Sequence, residues 1–430
     1  MKQRVKVIGA GLAGCEAAYQ LIKRGIAVTL VEQRPINRTE VHQSENFAEL
    51  VCSNSLRSND VFNAVGLLKE ELRKLDSLLI KIADENKVPA GSALAVDRDN
   101  FSLAITKFLS EHPLVSIERA EYVSIAENEP IIIASGPLTS DKLFDSIKNI
   151  VSSNNLFFYD AVAPIISLES IDLTKAYFKS RYDKGEADYL NCPLNKEQFD
   201  NFYYELINAK TVELKEVDKP VFFEGCMPFE YLAKRGAKTL LFGPMKPVGL
   251  RDSNGNTPYA VVQLRQDDSA KTLFNIVGFQ TSLLWPEQKR ILRMIPGLEN
   301  CEIVRYGVIH RNTYLNSPTA LTNNYQLKNN DNIFFAGQIT GVEGYSESIA
   351  SGLVAGINMA NKINGEDLLN LNSDTMIGAM ANYISNRNSK FQPMNANFGL
   401  FTAANVKKQD KKQFYFERSM KEIEKLCKNF

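Results

Sequence analysis

Net charge is absent: 50 lysines and arginines cancel 50 aspartates and glutamates in 430 residues. Bulk electrostatics therefore gives no support for nucleic-acid binding, and any basic footprint has to be local. Long hydrophobic runs are absent too. No apolar stretch approaches the roughly 18–20 residues of a membrane span, so no membrane partner is expected. Histidine occurs only at His42, His112 and His310, too thinly for a His-rich metal site, and no metal is expected. The six cysteines show neither CxxC spacing nor regular pairing. The first strand signal begins within five residues of Met1, which leaves no room for a signal peptide. The expectation is a cytoplasmic protein with reduced thiols. Repeats and low-complexity tracts are missing as well.

What is present suits a large globular chain. Hydrophobic residues make up 44% and charged residues 23%, close to globular averages. The length allows two or three domains around a sizeable core. Near the start, Val5 to Ile8 reads as a strand running into Gly9-Ala10-Gly11-Leu12-Ala13-Gly14, a GxGxxG turn that opens a helix. The first glycine permits the tight turn, the second lets backbone approach a pyrophosphate, and the third allows close helix–strand packing. Ala27 to Val31 forms the next strand and ends in Glu32, about where a ribose-binding acid is expected. GxGxxG alone is a weak signal; strand, helix and acid in this order point to a dinucleotide. S-adenosylmethionine is the competing reading.

The competing reading is disfavoured by a second glycine-capped strand far downstream. Ile333 to Ala336 runs into Gly337-Gln338-Ile339-Thr340-Gly341-Val342-Glu343-Gly344-Tyr345, and a helix with Ser346 as its predicted N-cap follows. Two such ends suit one long dinucleotide, FAD. Its flavin end would be held by Gly337, Gln338 and Thr340, Gly341, Val342, Glu343, Gly344, with Tyr345 as a stacking platform or a core aromatic. The small residues Ala350, Gly352, Ala355 and Gly356 allow that helix to pack closely.

Between these ends, Val61, Val65, Leu68, Leu72, Leu75, Leu79 and Ile82 repeat at spacings of four and three, predicting one long amphipathic helix. Asn100 to Ser110 predicts another, and Ile131 to Ile133 a buried strand. From about 160 to 300 the pattern changes to short strands (Leu240-Leu241-Phe242, Ala260-Val261-Val262) among helices and proline-marked turns. Asn195 with Gln198 predicts a capping box. The fold class expected is α/β: a discontinuous Rossmann-like FAD-binding domain (1–160 and 301–430, the latter with C-terminal helices) with an inserted α+β domain (161–300).

Two cysteines stand apart. Cys52 lies in Phe47-Ala48-Glu49-Leu50-Val51-Cys52-Ser53-Asn54-Ser55-Leu56-Arg57 and Cys226 in Phe222-Phe223-Glu224-Gly225-Cys226-Met227-Pro228. Such polar or glycine-bearing stretches leave a thiol accessible and ionisable. Cys15, Cys192, Cys301 and Cys427 take the default reading, small buried hydrophobes. Both thiol segments, together with Val88 to Arg98, Phe242 to Leu250, Val262 to Asp267, Gly307 to Thr313 and the late glycine segment, carry a resemblance. The chain resembles, nearly end to end, the folate- and FAD-dependent tRNA uracil-5-methyltransferases. The larger GidA-type tRNA-modifying flavoproteins are similar in the FAD parts. Small departures occur at Glu40-Val41, Ser92 and Ser346; none removes a proposed catalytic group.

The resemblance implies methylation of uracil C5, with 5,10-methylenetetrahydrofolate as carbon donor, reduced FAD as carrier and reductant, and NAD(P)H restoring the reduced flavin. Uracil C5 is a poor nucleophile, and a thiolate adding at C6 makes it a good one. Cys226 is assigned that attack and Cys52 the auxiliary thiol; sequence does not order two thiols around a ring, and the roles can be reversed. Arg265, His310 and Arg311 are assigned as contacts to folate glutamate or RNA phosphate, with surface salt bridges as the alternative. Lys234, Arg235, Lys238 and Lys246, and the tail group Lys407, Lys408, Lys411 and Lys412 beside Phe414, Tyr415 and Phe416, are local basic features that suit RNA. The expected target is the T-loop uridine of tRNA, with 23S ribosomal RNA second. A small-molecule flavoprotein oxidoreductase and a non-catalytic RNA-binding flavoprotein are the rival functions.

Overall fold

The computed structural model describes residues 4–39, 41–151, 156–183, 186–212, 227–251, 255–388 and 391–428. Its first sheet has the order β16-β17-β7-β1-β2-β6. These strands are β1 (Arg4–Ile8), β2 (Ala27–Glu32), β6 (Val115–Arg119), β7 (Ile131–Ile133), β16 (Gln326–Leu327) and β17 (Asn330–Phe335). All neighbours are parallel except the β16–β17 edge pair. β7 and the end of β17 are continuous apolar runs, and Val5, Val7, Ile8, Val28, Leu30 and Val31 are buried beside them, as expected where helices cover both faces of a parallel sheet. After β1 the chain builds outward through β2 and β6, then returns to the other side of β1. The order reverses at β1, and the crevice beyond its carboxyl end is where such sheets bind ligands.

The second sheet has the order β10-β11-β12-β13-β9-β14. It consists of β9 (Ile165–Ser167), β10 (Tyr177–Phe178), β11 (Tyr189–Leu194), β12 (Ala260–Gln266), β13 (Leu273–Ile276) and β14 (Ile303–Arg305), all antiparallel. Its core is separate, centred on Phe199, Phe202, Phe229, Phe274 and Phe279. A ribbon of β8 (Leu156–Ala161) with β15 (Ile309–Tyr314) carries the chain into and out of this unit. β3 (Ser55–Ser58), β5 (Ala93–Val96) and β4 (Lys87–Val88) form a small third sheet beside the cysteine-bearing loop.

Helix α1 (Leu12–Lys23) follows the first glycine turn, and the longest helix, Tyr345–Asn364, follows the second. The two pack together, and a Cβ on Gly352 would stand 2.2 Å from Ala13 O. Glycine there sets the approach of the helices, and with it the approach of the two glycine turns. Among the described residues no helix is long and apolar enough to cross a membrane.

Three local expectations are corrected. The long apolar stripe from Val61 to Ile82 is two helices, α2 (Ala64–Lys74) and α3 (Leu78–Glu85). Asp76 between them takes φ +58° and is held by Lys23 Nζ at 2.6 Å, while Ser77 caps α3. Turn and cap chemistry broke a helix whose apolar face continues across the break. Leu240-Leu241-Phe242 is helical: α4 (Arg98–Glu111), α5 (Asp141–Val151) and α6 (Lys196–Ile207) are followed by α7 (Phe229–Lys234) and α8 (Ala237–Phe242). Leu240 is fully buried and Phe242, two residues on, is exposed, a split that a 100° step makes and strand alternation does not. Ser346 is not an N-cap; Gly344, with φ +111°, holds that position and Ser346 is buried in the first turn. The Asn195–Gln198 capping box of α6 is present.

Candidate active site

The carboxyl ends of β1, β7 and β17 open into one cavity of about 370 Å³. Gly9, Gly11, Leu12 and Ala13 line one side, Ala134 to Ser140 after β7 line another, and Gly337, Gln338, Glu343, Gly344 and Tyr345 a third. Glu32, Cys52 and Arg265 also line it. The two glycine turns therefore face one space.

The cavity suits a dinucleotide. A Cβ on Gly14 would sit 1.8 Å from Gly9 O, so α1 presses directly onto the turn after β1. Over Gly11 nothing lies within 4 Å of a Cβ position. α1 starts there without a side-chain cap and without an acidic residue in its first turn. An uncapped helix N-terminus with open space above it is a site for a phosphate group. Glu32 accepts the Ala10 N–H at 3.0 Å on one oxygen, and Arg34 N and Nε at 3.0 and 2.9 Å on the other. Burial alone would push its carboxyl up; the bonds from Arg34 and Ala10 outweigh this and hold it below the usual range.

The remaining residues of the predicted cofactor set form the wall behind. Ala10 and Gly14 support the first turn. Thr340 Oγ1 donates to Gly337 O at 2.8 Å, Gly341 packs on Phe391, and Val342 forms a bridge with Met394. At the start of Tyr345–Asn364, buried Glu347 accepts from Arg57 Nη2 at 2.5 Å and Ala396 N at 3.0 Å. Arg57 lines the cavity and has φ +63°.

Cys52 sits in a loop restrained from every side. Tyr345 Oη accepts the N–H groups of Cys52 at 2.8 Å and Ser53 at 3.1 Å. Arg98 Nη1 donates to Leu50 O at 2.6 Å while its Nε pairs with buried Asp267 at 2.9 Å. Arg265 Nη2 donates to Ser53 Oγ at 2.7 Å and its Nε to Asn54 Oδ1 at 3.1 Å. Asn54 Nδ2 donates to Val96 O at 3.0 Å and Gln266 O at 2.9 Å. Among the described residues the thiol has one weak contact, to Ala161 O at 3.8 Å. Burial pushes the Tyr345 phenol up, so it stays neutral while it accepts. Burial likewise pushes up the thiols of Cys15, Cys192 and Cys301, as their default reading expects. Cys427 is half-buried, and its Sγ donates to Lys74 O at 3.4 Å.

Cys226 lies outside the described residues, as do the side chains of His310 and Arg311; the backbone of the latter two runs in β15. Lys246 is half-buried in the loop after α8 and does not line the cavity. The tail aromatics are packing residues in part: Tyr415 is buried and stacks with Phe398 at 5.2 Å. Sequence reasoning missed the charged frame of the site. Arg34 Nη1 reaches Glu49 at 3.2 Å, and Arg305 pairs with Glu49 at 3.6 Å. His42, beside them, is bonded to Thr39 Oγ1 through Nδ1 at 2.6 Å. Burial first, and then Arg34, pull its pKa down to about 4.

Fold and cavity define a dinucleotide-binding α/β protein of the GidA type. The family model described as "Glucose inhibited division protein A" matches residues 4–367. The solved structure of Aquifex aeolicus GidA in its form II crystal superposes with a TM-score of 0.74 at 17% identity, covering 100% of this chain and 74% of that one. Sequence likeness is far higher to proteins named methylenetetrahydrofolate–tRNA-(uracil-5-)-methyltransferase TrmFO. The Bacillus pumilus protein is 59% identical over 426 residues, 99% of this chain and 98% of its own. The Bacillus subtilis protein is 58% identical over 432 residues, 99% of each. The chain belongs to the TrmFO family within the GidA group.

Proposed function

We propose that the protein methylates C5 of a uridine in tRNA, the T-loop uridine, with 5,10-methylenetetrahydrofolate as carbon donor, FAD as cofactor and NAD(P)H as electron source. The names of its relatives carry the reaction and the class of RNA. We divide the chain accordingly into FAD-binding parts (1–160 and 301–430) and a substrate-facing insert (161–300).

The observation that carries this reading is where the chain resumes after its second thiol segment. Phe229 N–H donates to Gln280 O at 2.7 Å, and Gln280 lines the same cavity as Cys52. Thr281 N–H donates to Val162 O, next to the Ala161 carbonyl that faces the Cys52 thiol. Cys226 is three residues before Phe229, and three residues span at most about 11 Å. The chain that follows Cys226 is thus anchored beside the cavity that Cys52 lines, which supports a shared site for the two thiols.

Gly9, Gly11, Leu12, Ala13 and Glu32 would hold the adenosine diphosphate end of FAD, and Gly337, Gln338, Glu343, Gly344 and Tyr345 the flavin end. FAD, when bound, supplies the two electrons that separate a formaldehyde-level carbon from a methyl group. The protein's own groups act on the uracil. The Cys226 thiolate adds at C6, and the electron pair of the C5–C6 bond moves toward O4, leaving C5 nucleophilic. Cys52 takes the proton that C5 gives up once its new carbon bond has formed. Expulsion of the Cys226 thiolate then restores the double bond.

RNA carrying 5-fluorouridine tests the assignment, because fluorine cannot leave C5 as a cation and the C6 adduct persists. Wild type and Cys52→Ala should form a covalent complex visible as a gel shift, and Cys226→Ala should not. Adduct formation by Cys226→Ala refutes the assignment. Labelled methylenetetrahydrofolate with NAD(P)H and RNA from a strain lacking the enzyme tests the reaction. Label in 5-methyluridine of tRNA is expected; flavin reduction without label would leave a small-molecule oxidoreductase.

A further inference from the structure

Residues 231–251 contain Lys234, Arg235, Lys238, Lys246 and Arg251 and no aspartate or glutamate. In a chain of zero formal net charge, this is a local positive run. It takes in the last turn of α7, all of α8 and the loop after them, and the one acid of α7, Glu230, lies before it, buried against Ser282 and Thr281. It also carries Phe242, 78% exposed, and Val248, 50% exposed. An aromatic ring left in water at this level is a burial opportunity unused within the fold.

Fraying does not account for the exposure. Leu240, Met245 and Leu250, which bracket these residues, are fully buried, the first two in the second core. Arg181 donates to Lys246 O at 3.0 Å, to Val248 O, and to Gln263 Oε1 on β12 at 2.7 Å. Tyr182 N–H donates to Gly249 O at 2.8 Å. The loop is pinned to the sheet, and Phe242 is presented on a firm support. α7, which leads into this run, starts beside the cavity through the Phe229–Gln280 bond.

We propose that α7, α8 and the loop to Arg251 form a docking face for RNA, with Phe242 stacking on an unpaired base and Lys238, Lys246 and Arg251 meeting phosphates. The proposal rests on the tRNA reading above and names the surface that reading needs. Charge complementarity selects the partner: a polyanion with exposed planar bases satisfies both the cations and the ring, and base–aromatic stacking tolerates any sequence. A rigid aromatic also loses little freedom when it stacks.

The test is binding of FAD-loaded enzyme to a fluorescent tRNA T-arm hairpin across a range of salt concentrations, beside methylation of whole tRNA. Phe242→Ala should weaken binding between about 5-fold and about 100-fold, with little change in salt dependence. Phe242→Tyr should restore it. Lys238→Glu with Lys246→Glu should weaken binding and reduce the log–log salt slope by about two. A retained flavin spectrum and melting temperature show that the variants are folded. Binding by Phe242→Ala and the double lysine variant within twofold of wild type, while wild type methylates tRNA, overturns the docking face alone. Wild type that neither binds nor methylates tRNA overturns the functional reading and this face together.

Discussion

Tyr345→Phe separates a positioning role for this tyrosine from simple packing. The substitution keeps the ring and removes the oxygen that accepts the Cys52 and Ser53 N–H groups at 2.8 and 3.1 Å. A hydrogen bond is worth about 0.5–1.5 kcal/mol net, and a donor left dry costs about 1–3 kcal/mol. With two donors orphaned, the loop loses about 2–4 kcal/mol where water cannot enter, and about half of that where cavity water reaches one of them. The other restraints remain: Leu50 O on Arg98, Ser53 and Asn54 on Arg265. The damage is therefore local opening, not global unfolding.

Hydrogen exchange reads this directly, because about 1.4 kcal/mol of lost protection is a tenfold faster exchange. Amides 52 and 53 should exchange at least about tenfold faster in Tyr345→Phe, while those of α1 keep their rates. Alkylation of Cys52 by iodoacetamide should speed up in parallel. Exchange at 52 and 53 within twofold of wild type would refute the restraint argument and leave Tyr345 a packing residue.

Three further outcomes are expected. Gly14→Ala places a Cβ 1.8 Å from Gly9 O, which displaces α1 from the turn, so the purified protein should lose most of its flavin absorbance. Arg98→Ala leaves the buried Asp267 carboxylate unpaired and frees Leu50 O, and urea unfolding should show a loss of about 3–5 kcal/mol. His42 has its folded pKa pulled from 6.5 to about 4, so the unfolded chain takes up the proton first; its contribution is complete above about pH 6.5 and is lost as pH falls toward 4, about 2 kcal/mol of it between pH 7 and 5. Glu16 and Glu71, raised by burial to about 7, favour folding as pH falls over the same range, so the check is the difference in urea stability between wild type and His42→Asn at the two pH values, which should shrink by that amount at pH 5.

The cofactor end of the site was legible because its constraints are local. A turn that presses a helix to within 1.8 Å of a Cβ position can be built only with glycine, and that demand is written at Gly9 and Gly14 whatever the rest of the chain does. The capping box at Asn195 was legible for the same reason. The frame around Cys52 was not. Arg34, Glu49, Arg98 and Asp267 look in sequence like any solvated charges, and only tertiary contact pairs them. Arg265 shows the boundary: the sequence offered folate, RNA phosphate or a surface salt bridge as its partner, and the residue is instead buried at the cavity wall and bonded to Ser53 and Asn54. The break at Asp76 was hidden for the opposite reason, since Leu75 and Leu79 keep one apolar stripe across two helices.

That frame also decides what can move. Arg98 opens α4, beside the first sheet, and Asp267 follows β12 of the second; the pair is buried, and Asn54 Nδ2 bonds across the same boundary to Gln266 O. Separating the two sheets here would strand a buried ion pair at a cost of about 3–5 kcal/mol. The Cys52 side of the cleft is therefore held in one geometry before any substrate arrives. A site fixed between two sheets cannot advance on a base that is stacked inside folded RNA. On the proposed function the uridine has to leave its stack and enter the cleft, at a cost of a few kcal/mol. Stacking of a neighbouring base on a firmly mounted aromatic outside the cleft would offset a cost of that size, and Phe242 is mounted in that way.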